Sequence, residues 1–171
     1  YSQSTPTVNL RVLAIDVSDD WVWKCVDSYD LSPQYGEYNG ISFDRDTGKI
    51  WVVHGQQRRI VSYEFNDNGQ FNRGQEMYSF SSGSTSTTEC GKSTSTVHGL
   101  TVHSGFFYMR CMKGSYYQNT DQLSAWGISG TSSSLVPQVG IRDIPVRGYG
   151  LFYDGERLLS VDTGYSTWSS S

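Results

Sequence analysis

The segment around Asp44 contains oxygen-bearing side chains at the spacing of a calcium-binding loop. Asp44, Asp46 and Gly48 belong to the run DRDTG, in which two carboxylates alternate before a glycine that can turn the chain. A hard cation such as Ca²⁺ prefers oxygen ligands from such a loop, and Asp67 in the run NDNG is a further candidate ligand. These three aspartates are therefore the candidate calcium ligands. The sequence favours the other interpretation, a hairpin turn whose aspartates cap backbone N–H groups, because the acidic ligand expected later in a calcium loop is missing.

A second group of residues could bind a partner molecule. Tyr116, Tyr117 and Asn119 fall in one predicted loop, and Arg58 and Arg59 fall in the polar turn of the preceding repeat. Loops rich in Tyr, Ser, Gly and Asn make adaptable contact surfaces at low entropic cost. Aromatic rings in such loops can also stack on sugar rings. The sequence thus predicts a ligand-binding surface, and solvated loop tips are the alternative.

The chain has three cysteines, Cys25, Cys90 and Cys111. A Cys90–Cys111 disulfide would join a Ser/Thr-rich loop to a predicted strand. In the chain-entropy model, closing a loop of roughly 20 residues contributes about 3 kcal/mol to stability. An odd cysteine then remains, so three free or buried thiols are the alternative.

Several classes of function find no support in the sequence. It has no Gly-x-Ser-x-Gly elbow, no Gly-x-Gly-x-x-Gly motif and no P-loop. The three histidines, His54, His98 and His103, lack metal-ligand spacing. A net charge of −4 argues against a nucleic-acid partner, which would demand a basic face. No apolar run approaches the length of a membrane span.

The elements that would position these residues are short strands in a repeat. Each repeat opens with a glycine and an apolar run, at Gly40–Phe43, Gly99–Val102 and Gly150–Tyr153. The openings are 59 and 51 residues apart, counted from residue 40 to 99 and from 99 to 150. A turn and a second strand follow each opening, at Lys49–Val53, Phe106–Cys111 and Arg157–Val161. Repeats of several strands at such a period are typical of propellers.

The N-terminal part of the chain predicts strands without a repeat opening of their own. Arg11–Val17 would be a third strand, and Trp21–Val26 would follow it. Pairing with the sheet begun at Gly150 would close a ring and remove two exposed sheet edges. We predict an all-β fold: one small β-propeller-like domain over residues 1–171, closed between its N- and C-terminal strands and excised from the distal end of a larger protein. A β-sandwich or open barrel is the alternative.

The segment Gly40–Phe65 resembles one blade of the NHL or gluconolactonase-type propellers, through ISFD, GKIWV and RIVSY. In such propellers the first strands line the central axis, so Asn39, His98 and Tyr149 would converge near one mouth as ligand-binding residues. The resemblance also implies an alternative function. Gluconolactonase-like enzymes hold a divalent metal by a carboxylate and an Asn or Asp at axial positions, where this chain has Glu37 and Asn39. That alternative is a metal-dependent lactonase-type hydrolase.

The composition favours a binding module over an enzyme. Aromatic residues make up 14% of the chain, and the sequence is rich in Gly and Ser. In outline, the domain resembles the receptor-binding head of a corticovirus-type marine phage spike. We therefore predict a non-enzymatic domain that attaches a virion or surface protein to a host-cell receptor or glycan. We expect it outside the cell or on the virion surface, stabilised by calcium, in an oligomeric parent protein, without nucleic-acid binding or membrane insertion.

Overall fold

The structure, a computed structural model, describes residues 11–16, 24–30, 38–54, 58–65, 71–80, 90, 96–113, 120–128, 134–137, 142–144 and 148–162. The regular structure of these residues is β, in antiparallel sheets, so the predicted all-β class is confirmed. The strands are β1 (Arg11–Asp16), β2 (Lys24–Asp30), β3 (Tyr38–Asp44), β4 (Lys49–His54), β5 (Arg59–Phe65), β6 (Phe71–Ser79), β7 (Val97–His103), β8 (Phe106–Lys113), β9 (Thr120–Ile128), β10 (Leu135–Pro137), β11 (Arg142–Ile144), β12 (Gly148–Tyr153) and β13 (Leu158–Asp162). No helix of the described residues is long and apolar enough to cross a membrane.

The first sheet is a four-stranded meander in the order β3-β4-β5-β6. β4 and β5 are rich in β-branched and aromatic residues, which fit a pleated and half-buried surface. Residue Asp44 pairs with Lys49 across the first hairpin, and Trp51 pairs with Ser62 across the second. This sheet contains the predicted Lys49–Val53 strand, extended by one residue.

The second sheet has the order β10-β9-β8-β7, with β11 also paired to β9. Ser104 and Gly105, which connect β7 to β8, both have positive φ, 49° and 75°. Two such residues form a two-residue hairpin of type I′, whose twist matches that of its flanking strands. The short strands β10 and β11 share the free edge of β9, opposite Trp126–Ile128 and Asp121–Leu123 respectively.

The remaining strands form two hairpins, β1–β2 and β12–β13. The predicted Arg11–Val17 strand corresponds to β1, whereas the strand predicted at Trp21–Val26 begins at Lys24. Among the described residues, no ladder joins these hairpins to each other. Closure between the terminal strands therefore stays a prediction.

The three repeat openings lie side by side. A Cβ added to Gly40 would lie 2.9 Å from Leu100 Cβ, and one added to Gly99 would lie 2.7 Å from the backbone of Gly150 and Leu151. β7 thus lies between β3 and β12, and only glycine allows backbones this close. The backbone N–H of Val102 also donates to Ser42 Oγ at 3.0 Å. Because both β3–β7 contacts advance in the same direction along the two strands, these strands run parallel.

The main core lies between the first two sheets. It consists of side chains from β4, β5 and β7–β10, together with two residues that precede β7: Trp51, Val53, Ile60, Phe80, Cys90, Val97, Leu100, Val102, Phe107, Met109, Cys111, Trp126 and Leu135. The rings of Trp51 and Phe107 meet edge to face, with centroids 4.9 Å apart, a favoured geometry for aromatic pairs. Burial of this cluster holds the two meanders face to face.

Candidate functional site

An open groove of about 400 Å³ lies where the first strands of the three repeats end. Its lining comes from the ends of β3, β7 and β12 and from the turns that follow two of them: Ile41, Ser42, Phe43, Asp44, Arg45, Asp46, Thr101, Val102, His103, Leu151, Phe152, Tyr153 and Gly155. We call this cavity the inner-strand groove. Because three repeats contribute to it, the groove depends on the close approach of their backbones.

Large apolar side chains of the inner-strand groove are open to solvent. Ile41, Phe43 and Phe152 are 57%, 58% and 59% exposed. Successive side chains of a strand point to opposite faces, and Ser42, between the first two, reaches the backbone of Val102 instead. β3 therefore presents its apolar face to the groove and its polar face to β7.

The predicted cation loop is a hairpin turn in the structure. One carboxylate oxygen of Asp44 accepts from the backbone N–H of Asp46 at 3.1 Å, and the other accepts from Thr47 Oγ1 at 2.6 Å. Both oxygens of Asp44 are therefore used within the turn, which matches the capping alternative. Among the described residues, no group of three or more His, Cys, Asp or Glu side chains could hold a metal. Asp67 and Glu37 lie outside the described residues.

The second and third repeats meet in the groove through an aromatic pair. The rings of His103 and Tyr153 stack with centroids 4.0 Å apart. His103 Nε2 is hydrogen-bonded to Ser104 Oγ at 2.9 Å, and Tyr153 donates its hydroxyl proton to Gly155 O at 2.7 Å. The two rings form a fixed aromatic wall, because each is held by a hydrogen bond as well as by the stack.

The turn after β12 is capped in the same way as the turn after β3. Asp154 accepts hydrogen bonds from the backbone N–H groups of Glu156 and Arg157, at 2.9 Å and 2.7 Å. These bonds stabilise the carboxylate form and hold the pKa of Asp154 below its ordinary value. The rim of the groove therefore includes two turns stabilised by their own aspartates.

A buried ionic network connects the β12–β13 hairpin to the second sheet. Arg110 Nε donates to Asp121 Oδ2 at 2.7 Å, and both side chains are fully buried. The backbone N–H of Gly148, at the start of β12, donates to the same oxygen at 3.0 Å. Arg110 also donates to Ser160 Oγ in β13. The network thus holds both strands of the hairpin.

Asp121 is ionised in this network. Burial raises its pKa, but the adjacent His98 ring and the hydrogen bonds from Gly148 and Arg110 oppose that effect and together hold the pKa below its ordinary value. His98 Nδ1 lies 3.5 Å from Asp121 Oδ1, at the outer limit of a hydrogen bond. Among the described residues neither of these two atoms has another partner. His98 therefore faces the carboxylate of Asp121, whose negative charge is already paired with the buried guanidinium of Arg110.

The predicted axial residues lie at the other end of the same strands. His98 and Tyr149 follow the first residues of β7 and β12, and their rings are 5.1 Å apart. His98 is buried, whereas Tyr149 is 56% exposed. Asn39 occupies the matching position of β3. The structure thus brings His98 and Tyr149 together, away from the inner-strand groove.

The residues of the predicted loop surface divide into two groups. Tyr116, Tyr117 and Asn119 lie outside the described residues. Arg58 is only 7% exposed, and its guanidinium lies over the ring of Phe80, 6.0 Å from the centroid. Arg59 is half-buried and donates to Met77 Sδ at 3.7 Å. Arg58 itself lies against the core, where Phe80 N donates to Arg58 O.

The Cys90–Cys111 disulfide is present and completely buried. Ser124 Oγ lies 3.1 Å from Cys90 Sγ and accepts a hydrogen bond from Trp126 Nε1 at 2.7 Å. The disulfide ties the segment before β7 to β8. It therefore holds Cys90 beside β8, the strand that pairs with β7.

The sequence did not indicate Arg110 or Asp121, nor that Phe152 would be exposed. Arg110 lies in a strand of otherwise apolar character, MRCM, and a charge in such a run is the signal that could have been used. Buried charges are normally paired, so Arg110 required a carboxylate. Its partner could not be chosen without the fold.

No protein-family model, no curated protein and no solved structure matches this chain. The site is therefore interpreted from its own geometry.

Proposed function

We propose that this chain is a binding domain that recognises a receptor or glycan on a host-cell surface, as the head of a viral spike or of another surface protein. The inner-strand groove is the observation that carries the proposal. Ligand sites are usually concave and mostly apolar, with a few polar groups that fix orientation. The groove has that character, since three exposed apolar side chains lie beside the His103–Tyr153 wall.

We propose a small propeller-like ring as the architecture that carries this groove. The parallel approach of β3 and β7, and the contact of β12 with β7, support it, because the first strands of propeller blades adjoin in this manner. The hairpin β1–β2 contacts β6 of the first sheet. Ring closure requires that this hairpin also extend the sheet of β12–β13.

The buried disulfide supports a location outside the cell or on a virion. Disulfides form and persist in oxidising environments and are rare in the cytosol. Because the bond joins the segment before β7 to β8 and is completely buried, it is a structural one.

The test is binding of the purified domain to a panel of candidate host cells and to a glycan array. Wild-type protein is compared with Phe43→Ala and Phe152→Ala, and with Phe106→Ala as a matched control. Phe106 is also an exposed phenylalanine, but it does not line the groove. We expect the two groove variants to bind at least about tenfold more weakly and the control to bind normally, since a buried Phe contributes about 2 kcal/mol or more. Absence of wild-type binding to every cell type and glycan would overturn the proposal.

A parallel arm with EGTA tests the calcium prediction. Binding that is equal with and without EGTA would contradict a stabilising calcium ion, whereas loss of binding would support one.

A further inference from the structure

We propose that the inner-strand groove takes a neutral pyranose sugar, with one apolar face of the sugar against Phe43 and Phe152. This inference rests on the proposed function and adds the chemical class of the ligand.

The polar groups of the groove are largely satisfied within the protein. Asp44 uses both carboxylate oxygens in its turn. Ser42 accepts from the backbone of Val102, and Tyr153 donates to Gly155 O. A group that already has its hydrogen bond gains little by exchanging that bond for one to a ligand. The floor of the groove therefore offers mainly apolar contact.

The open surface of the groove is apolar at its centre and polar at its rim. Ile41, Phe43 and Phe152 are each more than half exposed, so contact with a ligand would remove apolar area from water. Arg45 and Asp46 are exposed on the adjoining turn and supply hydrogen-bond donors and acceptors. A ligand with a flat C–H face and hydroxyl groups around its edge complements this arrangement. A pyranose ring has that form, whereas a hydrocarbon would leave the rim without partners.

The charges of the groove favour a neutral sugar over an acidic one. Asp44 and Asp46 lie on the same turn as Arg45, so the acidic groups outnumber the arginine there. An anionic ligand would be repelled by the aspartates. It would also lose hydration against Phe43 and Phe152 without a buried cation to compensate. Sugars that bear a carboxylate are therefore disfavoured.

The experiment is saturation-transfer NMR on the whole domain with single sugars. The probes are the methyl glycosides of galactose, glucose, mannose and N-acetylglucosamine, and N-acetylneuraminic acid as the anionic comparison. We expect saturation of the ring C–H protons of at least one neutral glycoside and none for N-acetylneuraminic acid. Phe43→Ala and Phe152→Ala should abolish the signal, and Phe106→Ala should retain it. Equal melting temperatures for the variants would show that each has folded.

Different results separate this inference from the proposed function. If the domain binds cells but no neutral glycoside gives a signal or competes with the cells, the sugar inference falls and the binding function stands. Preferential binding of N-acetylneuraminic acid would also overturn it. A neutral-sugar signal that survives both groove substitutions would place the ligand elsewhere and refute the assignment to the groove.

Discussion

Replacing Asp121 with asparagine should destabilise the protein strongly. The substitution keeps the size of the side chain but removes the negative charge that Arg110 faces at 2.7 Å. Arg110 cannot reach water for compensation, because its side chain is completely buried. The uncompensated positive charge of Arg110 would then remain buried between the second sheet and the β12–β13 hairpin.

The magnitude follows from the burial of both partners. Removing one member of a buried ion pair typically costs about 3 to 5 kcal/mol. The contact to Gly148 adds to this cost if the new amide turns its NH₂ group towards that N–H, since two donors then face each other. Asp143→Asn is the matched control: Asp143 pairs with Lys113 on the same sheet, but its side chain is 55% exposed. An exposed pair contributes at most about 1 kcal/mol.

Urea denaturation followed by tryptophan fluorescence measures the difference, because Trp51 and Trp126 are buried and change environment on unfolding. The double variant Arg110→Met/Asp121→Leu adds a second comparison. It removes both charges together, so it should lose less stability than Asp121→Asn alone.

The pH dependence gives an independent check. The pKa of Asp121 in the folded protein lies below its ordinary value of 3.8. Its contribution to stability is therefore fully present above that value, and it is lost as the pH falls through the lower pKa of the folded state. The stability difference between wild type and Asp121→Asn should shrink in this acidic range. If Asp121→Asn costs no more than Asp143→Asn at neutral pH, the network does not hold the hairpin and our reasoning is refuted.

Two further predictions concern the central strands. Gly99→Ala should cost about 3 kcal/mol or prevent folding, because the new Cβ would meet backbone atoms of Gly150 and Leu151 at 2.7 Å; Gly105→Ala has open space and should show only the roughly 1 kcal/mol strain of its positive φ. Similar melting temperatures for the two variants would contradict the close approach of the inner strands. The double variant Cys90→Ala/Cys111→Ala should lower the free energy of unfolding by about 3 kcal/mol. In native wild-type protein, a thiol reagent added with reductant should label Cys90 and Cys111 only as fast as the protein unfolds, because both are completely buried. Rapid labelling under native conditions would show that the disulfide is accessible.

The repeat openings could be predicted from the sequence because their signal is local. A glycine before an apolar run, followed by a turn residue, specifies a strand and its end within a few positions. Ser104–Gly105 fulfilled this expectation as a two-residue turn. The start of the strand predicted at Trp21–Val26 shifted by three residues, to Lys24.

The candidate site was harder to predict because its contacts join distant parts of the chain. Asp121 meets Gly148 across a sequence separation of 27 residues, and Ser42 meets Val102 across 60. Nor does alternation along a strand say which of its faces another sheet will cover. For this reason Phe43 and Phe152 could be assigned to strands, but their exposure could not be anticipated.

The second sheet contacts the first sheet through apolar side chains and the β12–β13 hairpin through charged ones. The two contacts should therefore be lost under different conditions. The junction with the first sheet is an apolar cluster, whose strength changes little with acid. The junction with the β12–β13 hairpin depends on a carboxylate that acid neutralises. As the pH falls below 3.8 and through the lowered pKa of Asp121, the hairpin would open first as a separate unit while the two meanders stay packed. Phe152 and Tyr153 of the groove belong to that hairpin, so the ligand proposed for the groove would be released before the protein as a whole unfolds.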